Sequence, residues 1–115
     1  MAKYAMSSPD EVALESILER IRIQTIAERL RITQHAQQEM TEDNFTLDDI
    51  LQAIANAQIL EDYPERRRGS CCLLNGVADN GRFVHIVCTT AQPVLIIITV
   101  YEPKPPKWVT PTQRR

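Results

Sequence analysis

Two histidines and one tyrosine are the side chains of this sequence best suited to acid–base chemistry. His35 and His85 are its only histidines, and imidazole is the group whose ordinary pKa lies near neutrality. We expect His85 to act as an acid or base on a sheet face, with Tyr101 donating a hydrogen bond and His35 as a second candidate. The structural alternatives are a half-buried, hydrogen-bonded strand histidine at His85, a core-lining Tyr101, and a His35 that caps a helix or packs against Tyr63.

Four arginines are the candidate phosphate ligands. Three of them stand together in the segment PERRRG, residues 64–69, and guanidinium groups bind phosphate through paired hydrogen bonds. The alternative is a solvated loop, because no aromatic stacking platform accompanies the run. The predicted phosphate-binding set is Arg66, Arg67, Arg68 and Arg82.

The charge of the chain is unevenly distributed. Residues 1–63 contain five Lys/Arg and twelve Asp/Glu, whereas residues 64–115 contain eight and three. A basic second half favours an anionic partner such as RNA, or the acidic half of another copy. A solvated surface of mixed sign is the alternative interpretation.

The three cysteines favour a structural role. Cys71, Cys72 and Cys88 are an odd number, which fits buried thiols in a reducing compartment. A zinc site is the alternative, but the sequence has neither a C-x-x-C nor an H-x-x-x-H pair, and it has no phosphate-binding Gly-rich loop. No metal or cofactor is predicted. No run approaches the roughly 20 apolar residues that span a bilayer, so we expect a cytoplasmic protein with no membrane partner.

The segment 70–101 is predicted to form three antiparallel strands that position these side chains. Asn80-Gly81 separates the first two apolar runs, and this dipeptide is typical of a type I′ hairpin because both turn residues need positive φ. That turn pairs Val77 with Val84 and places Gly76 opposite His85, leaving space beside the imidazole. The β-branched run 94–101 is predicted inside the sheet.

One sheet face is predicted to be covered and the other partly open. Helices are expected on the apolar face, whereas the face with His85, Thr99 and Tyr101 is expected to remain accessible. A short strand over 59–63 brings the predicted sheet to four strands. Helices at one end of the chain and a strand meander at the other indicate an α+β domain.

The N-terminal region is predicted to be helical, with Ser8 as its N-cap and Glu11 closing a capping box. Its apolar stripe at 14–21 is followed by a second stripe at 23–30, rotated by about half a turn because each helical step is about 100°. Either the helix breaks near residues 22–24, or one long helix presents apolar surface on two sides. We expect this region to be an extension used in self-association.

Two capped helices and a proline-rich segment complete the predicted architecture. Thr33 and Thr46 are expected to cap successive helices separated by a turn at Asn44. Trp108 is expected to pack against the domain from an extended tail. The predicted division is a helical extension at 1–30, an α+β domain at 31–103 and a Pro-rich tail at 104–115.

Several segments in this order resemble one bacterial family, domain of unknown function 4258. They are ITQHA at 32–36, TLDDI at 46–50, ILEDY at 59–63, GRFVHIV at 81–87 and ITVYEP at 98–103. This family is similar to RelE, ParE and BrnT-like toxins. The resemblance implies N-terminal helices on one face of an antiparallel sheet, RNA cleavage free or on the ribosome, and an antitoxin-like partner.

One position departs from the family pattern. Members read H-A-x-x-R-M in the first helix, whereas this chain has Glu39 where the arginine is expected. Loss of a cation beside His35 weakens phosphate binding there. The sequence therefore leaves two hypotheses, an RNA-cleaving or translation-inhibiting component and a non-catalytic binding or self-assembly module of the same fold.

Overall fold

The computed structural model describes residues 9–67 and 69–115. These residues form an α+β structure in which three helices cover one face of a mainly antiparallel sheet. The elements are α1 (Pro9–Ile26), β1 (Leu30–Ile32), α2 (Gln34–Glu42), α3 (Leu47–Asn56), β2 (Gln58–Tyr63), β3 (Cys71–Val77), β4 (Phe83–Thr89), β5 (Leu95–Tyr101), β6 (Trp108–Thr110) and β7 (Gln113–Arg114).

The main sheet has five strands in the order β1-β5-β4-β3-β2. The expectation of four strands is wrong because β1, only three residues long, pairs in parallel with β5. Leu30 in β1 continues the apolar spacing of α1, so the sequence pattern assigned it to the helix. The other strand pairs are antiparallel, and β5 lies inside the sheet as predicted.

α1 is one continuous helix, which confirms the unbroken alternative. It ends at Ile26, and Glu28, two residues later, has a positive φ of 58°. The Arg29 N–H donates to the Gln24 carbonyl at 2.8 Å and the Glu28 N–H donates to the Thr25 carbonyl at 3.1 Å, so a Schellman motif satisfies the last carbonyls of the helix. The caps expected from Ser8 and Glu11 lie outside the residues whose side chains are described.

The two shorter helices begin where the sequence predicts. Thr33 Oγ1 accepts from the Ala36 N–H at 3.1 Å. At α3, Thr46 Oγ1 accepts from the Asp49 N–H at 3.1 Å while the Asp49 carboxylate accepts from the Thr46 N–H at 2.9 Å, which is a complete capping box. The turn between them places Asn44 at φ 58°, as expected for the residue that ends a helix.

The β3–β4 hairpin has a three-residue loop instead of the predicted two-residue loop. The Ala78 N–H donates to the Arg82 carbonyl and the Gly81 N–H donates to the Ala78 carbonyl, both at 2.9 Å. Gly81 has φ 84°, so a β-turn followed by a left-handed glycine closes the hairpin. The predicted register is therefore wrong by one residue: Val77 pairs with Phe83, and Asn75 pairs with His85.

The main core lies between the sheet and the helices. Ile21 of α1 and Ile54 of α3 are buried in it with side chains from the central strands. Two hydrogen bonds also hold α1 to the domain, from Arg22 to the Ala57 carbonyl at 2.8 Å and from Gln24 to the Gln92 carbonyl at 2.7 Å. The predicted extension thus packs on the same core as the rest of the described chain.

The segment after Tyr101 is a hairpin, not the extended tail that the prolines indicate. β6 and β7 form a separate two-stranded sheet, with Trp108 paired with Arg114. Trp108 is 3% exposed, which confirms that it packs against the domain. It contacts the His85 ring, so this C-terminal hairpin covers the sheet face opposite the helices.

Candidate functional site

His85 lies at the centre of a polar cluster on the face that the C-terminal hairpin covers. In the central strand β4 it pairs with Asn75 of β3 on one side and with Tyr101 of β5 on the other. Directly paired residues of neighbouring strands point to the same face. Glu61 of β2 pairs with Leu73 and joins this side of the sheet. We call the set Glu61, Asn75, His85 and Tyr101 the His85 face.

Both ring nitrogens of His85 make hydrogen bonds. Nε2 lies 2.6 Å from the carbonyl oxygen of Pro111, and Nδ1 lies 3.1 Å from the Tyr101 hydroxyl. A carbonyl only accepts, so Nε2 carries the proton. In the neutral imidazole Nδ1 must then accept from the Tyr101 O–H. This arrangement fixes a single tautomer.

The C-terminal hairpin supplies the covering groups. The Trp108 ring meets the His85 ring edge to face, with centroids 4.4 Å apart. At the sheet margin, Arg114 forms a two-pronged ion pair with Glu61, from Nε at 2.5 Å and Nη2 at 2.8 Å. The Tyr63 hydroxyl also bonds to this carboxylate, and the Arg114 guanidinium stacks 4.7 Å from the Trp108 ring centroid.

Burial sets the electrostatics of the His85 face. It lowers the pKa of His85, and the hydrogen bond to Pro111 only partly opposes that effect. Burial also raises the pKa of Tyr101, against the opposing influence of the nearby Trp108 indole. The Arg114 guanidinium lowers the pKa of Glu61. At neutral pH the face therefore holds an uncharged imidazole, an uncharged phenol and one carboxylate paired with a guanidinium.

Two buried polar atoms at this face lack a hydrogen-bond partner among the described residues. They are Asn75 Oδ1 and Trp108 Nε1. Asn75 is 94% buried, so its oxygen is screened from solvent. The Trp108 indole lies near the Tyr101 hydroxyl but makes no hydrogen bond of normal geometry. The sheet and the hairpin therefore pack together without providing a hydrogen-bond partner for every buried polar atom.

The expected open face is closed. His85 is 0% exposed, because the C-terminal hairpin, which the sequence patterns did not predict, covers it. The prediction that Gly76 leaves space beside His85 is also wrong. In the observed register Gly76 faces the helices, where a Cβ would lie 2.0 Å from the Ala53 carbonyl oxygen. The pairing of His85 with Tyr101 on one face is as predicted.

His35 is not part of this cluster. It lies on α2, on the helical side of the sheet, and its Nε2 is 3.2 Å from a Glu39 carboxylate oxygen. Glu39 has a structural task, because the same oxygen accepts from the Val100 N–H at 3.0 Å. Asp43, one turn later, accepts from the Glu102 N–H at 2.9 Å. The Glu39 carboxylate of α2 and the Asp43 carboxylate just after it thus accept hydrogen bonds from β5 and the residue that follows it.

The predicted phosphate ligands are dispersed. The Arg82 guanidinium donates to the Asp43 carbonyl at 2.6 Å and the Asn44 carbonyl at 3.1 Å, and it pairs with Glu102 at 3.3 Å. It also covers the Phe45 ring at 4.0 Å. These contacts brace the end of α2 and leave little of the guanidinium free. Arg66 and Arg67 are exposed in the β2–β3 loop, and Arg68 lies outside the described residues.

An apolar groove lies on the helical side of the molecule. It runs between α1, α3 and β1, and Thr25 and Ile26 line it from α1. Two large apolar side chains remain exposed along it: Ile26 is 82% exposed and Leu47 49%. Ile26 and Leu30 belong to the second apolar stripe predicted for α1, but Leu47 was not anticipated as exposed. We call this surface the helical groove, comprising Ile26, Leu30, Ile32, Leu47 and Leu51.

Sequence reasoning missed two members of the His85 face and two residues of the hairpin that covers it. The members are Glu61 and Asn75, and the covering residues are Pro111 and Arg114. One signal was present: Trp108-Val109-Thr110 consists of an aromatic and two β-branched residues and precedes Pro111 and a second short polar run, which is compatible with a small hairpin. Nothing in the local sequence indicates that Pro111 would reach His85.

Other site types find no matching arrangement in the part of the chain that the structure describes. Within residues 9–67 and 69–115, no three His, Cys, Asp or Glu side chains are grouped as metal ligands. Cys72 and Cys88 face each other on the helical side, and the contact with Cys72 together with burial raises the pKa of the Cys88 thiol. None of the described helices is long and apolar enough to cross a membrane.

Comparison with known proteins identifies one family. Residues 32–102 match the family described as Domain of unknown function (DUF4258). No curated protein and no solved structure matches the chain. The match ends immediately after β5, so the C-terminal hairpin lies outside the matched region.

Proposed function

Because the chain belongs to the family described as Domain of unknown function (DUF4258), we propose a function from geometry: a non-catalytic module that assembles with a second copy of itself. The observation that carries this proposal is the helical groove, where Ile26 is 82% exposed and Leu47 49%. Contiguous exposed apolar side chains on a soluble surface are typical of interaction sites.

The charges at the helical groove favour a second copy as its occupant. Arg22 lines one end of the groove and Glu28 lines the other. A two-fold interface brings each surface patch against itself, so a patch carrying both signs is self-complementary. In such a pair, Arg22 of one copy approaches Glu28 of the other, while the exposed isoleucines pack at the centre.

The His85 face supports a non-catalytic role. A general acid or base must reach the proton that it transfers, yet both nitrogens of His85 are occupied by Pro111 and Tyr101. Arg82 is likewise held by the end of α2 and Glu102. Three of the candidate residues, His85, Tyr101 and Arg82, are thus used in holding the fold together.

Ile26→Asp tests the assembly proposal. We expect the wild-type chain to sediment as a dimer at micromolar concentration and the variant to shift towards monomer. Burying an isoleucine contributes about 1.5–3 kcal/mol, so the dissociation constant should rise by at least about tenfold. Sedimentation velocity measures both.

Val109→Asp is the matched control. Val109 is 58% exposed on the C-terminal hairpin, so this variant adds the same charge away from the groove and should remain dimeric. A wild-type chain that is monomeric throughout the concentration range would overturn the proposal. Equal dissociation of the two variants would also contradict it.

A second candidate function is that of an RNA-cleaving or translation-inhibiting toxin–antitoxin component. The 3.1 Å contact between His85 and Tyr101 and the exposed Arg66 and Arg67 favour it. It assumes a bacterial protein with a RelE, ParE or BrnT-like fold, acting on RNA or the ribosome, with an antitoxin-like partner. Growth arrest on induced expression that His85→Ala relieves would support it, whereas harmless expression and intact RNA in a purified assay would support the non-catalytic module.

A further inference from the structure

We propose that the His85 face is a binding site for a peptide that carries an aromatic side chain and, six residues later, an arginine. In this chain the C-terminal hairpin occupies that site as an internal ligand. The proposal concerns the side of the sheet opposite the helical groove and does not depend on self-assembly.

The position of the hairpin relative to the family domain is the first observation. The family match covers residues 32–102, and all four residues of the His85 face lie within it. The covering groups Trp108, Pro111 and Arg114 lie beyond it. The matched domain therefore supplies the polar side chains of this sheet face, and a segment outside the match covers them.

The contacts of the hairpin resemble those of a bound peptide. An aromatic ring packs on His85, a backbone carbonyl accepts the Nε2–H of His85 at 2.6 Å, and a guanidinium pairs with the Glu61 carboxylate. These are an apolar anchor, a main-chain hydrogen bond and a charge pair, the three kinds of contact that fix a peptide in register on a protein surface.

One buried polar atom of the His85 face finds no partner in the hairpin. Asn75 Oδ1 is buried without a donor from the described residues, whereas the Trp108 indole lies near the Tyr101 hydroxyl. A buried polar atom without a partner is costly. A partner peptide that donates to Asn75 would be preferred over the hairpin once both are at the same effective concentration.

The charge of the site favours a peptide over a nucleic acid. The ionised group that the sheet itself contributes is the Glu61 carboxylate, and His85 is neutral. The cations that act on His85, Lys107 and Arg114, come from the covering segment, whereas Arg66 of the β2–β3 loop lies at the margin over the Tyr63 ring. An oligonucleotide replacing that segment would bring phosphates against a carboxylate, which opposes binding.

The test uses a fluorescent peptide with the sequence of residues 103–115 and full-length protein variants. The tethered hairpin acts at an effective concentration of about millimolar, so the peptide should bind the wild-type protein weakly. Trp108→Ala loosens the hairpin without altering the His85 face. We expect this variant to bind the peptide at least about tenfold more tightly than wild type in an anisotropy titration.

Two controls make the result specific. The exposed Val109→Ala protein should bind as weakly as wild type, and a peptide that carries Trp108→Ala or Arg114→Glu should lose affinity for the opened protein. Arg114→Ala provides a second opened protein, decisive if circular dichroism shows that Trp108→Ala is unfolded. Equal peptide binding to the opened and wild-type proteins would overturn the proposal, as would binding of a labelled single-stranded RNA in place of the peptide.

Discussion

The protonation state of His85 follows from what its two nitrogens meet. The Pro111 carbonyl requires a proton on Nε2, and the Tyr101 hydroxyl donates to Nδ1. A second proton, on Nδ1, would require the Tyr101 hydroxyl to change from donor to acceptor and would place a positive charge inside the cluster. Burial therefore lowers the pKa of His85 in the folded chain, and the same burial couples this residue to stability.

The free energy of unfolding should fall as the pH is lowered through about 6.5, the ordinary pKa of histidine. Below that pH, His85 binds a proton in the unfolded chain but stays neutral in the folded chain, so the unfolded state binds more protons. The loss continues until the pH reaches the lower pKa of the folded state. For one proton the slope is at most about 1.4 kcal/mol per pH unit, and urea denaturation at a series of pH values measures it.

His85→Phe supplies the control for this pH dependence, because it keeps a ring in the site without a titrating nitrogen. Titration of Glu61 occurs in a different pH range. Arg114 lowers the pKa of Glu61 in the folded chain, so the stability that Glu61 contributes is lost at a lower pH than the stability that His85 contributes. An unchanged slope in His85→Phe, or a wild-type protein that gains stability on acidification from pH 7, would contradict the assignment.

Gly76 shows how one residue sets the fit between a helix and a strand. It lies in β3 directly beneath α3, where a Cβ would approach the Ala53 carbonyl oxygen to 2.0 Å and the carbonyl carbon to 2.6 Å. Backbone atoms cannot turn aside as a flexible side chain can. The absence of a side chain therefore allows α3 to lie close to the sheet.

Gly76→Ala should destabilise the fold by about 3 kcal/mol or more, because α3 must move away from β3 and its packing is lost. Gly81→Ala is the matched comparison. Its Cβ meets nothing within 4 Å, but φ is 84°, so the expected cost is about 1–2 kcal/mol of backbone strain. Urea denaturation of both variants measures the difference. A Gly76→Ala protein as stable as Gly81→Ala would show that α3 and β3 are not in this close contact.

The elements themselves could largely be predicted from the sequence, because their signals are local. The caps at Thr33 and Thr46 and the central strands depend on residues close together in the chain. The β3–β4 register could not be fixed in this way, since Asn80-Gly81 suits both a two-residue and a three-residue loop. That one-residue difference turned Gly76 from the His85 side to the helical side.

Two features required contacts between distant parts of the chain. β1 exists because Leu30–Ile32 pairs with β5, more than sixty residues later, and its three residues carry no strand signal of their own. The closure of the His85 face likewise depends on Pro111 reaching His85 and on Arg114 reaching Glu61. Local patterns predicted the strand positions of His85 and Tyr101 but not the segment that covers them.

At the scale of the whole molecule, the two faces of the sheet have opposite character. The helical side carries the large core and an exposed apolar groove at Ile26 and Leu47. The other side carries a polar cluster sealed by the C-terminal hairpin. We therefore expect interactions with a second copy on the helical side, and access to the His85 face only when the hairpin leaves.

Reaction of the histidines with diethyl pyrocarbonate, followed residue by residue by mass spectrometry, tests this closed arrangement most directly. His35 serves as an internal reference because its side chain is 64% exposed, whereas His85 is 0% exposed. We predict that His85 in the wild-type protein reacts more than about tenfold more slowly than His35, since reaction requires local opening, and that Trp108→Ala accelerates it. Equal rates for the two histidines in the wild-type protein would contradict the account.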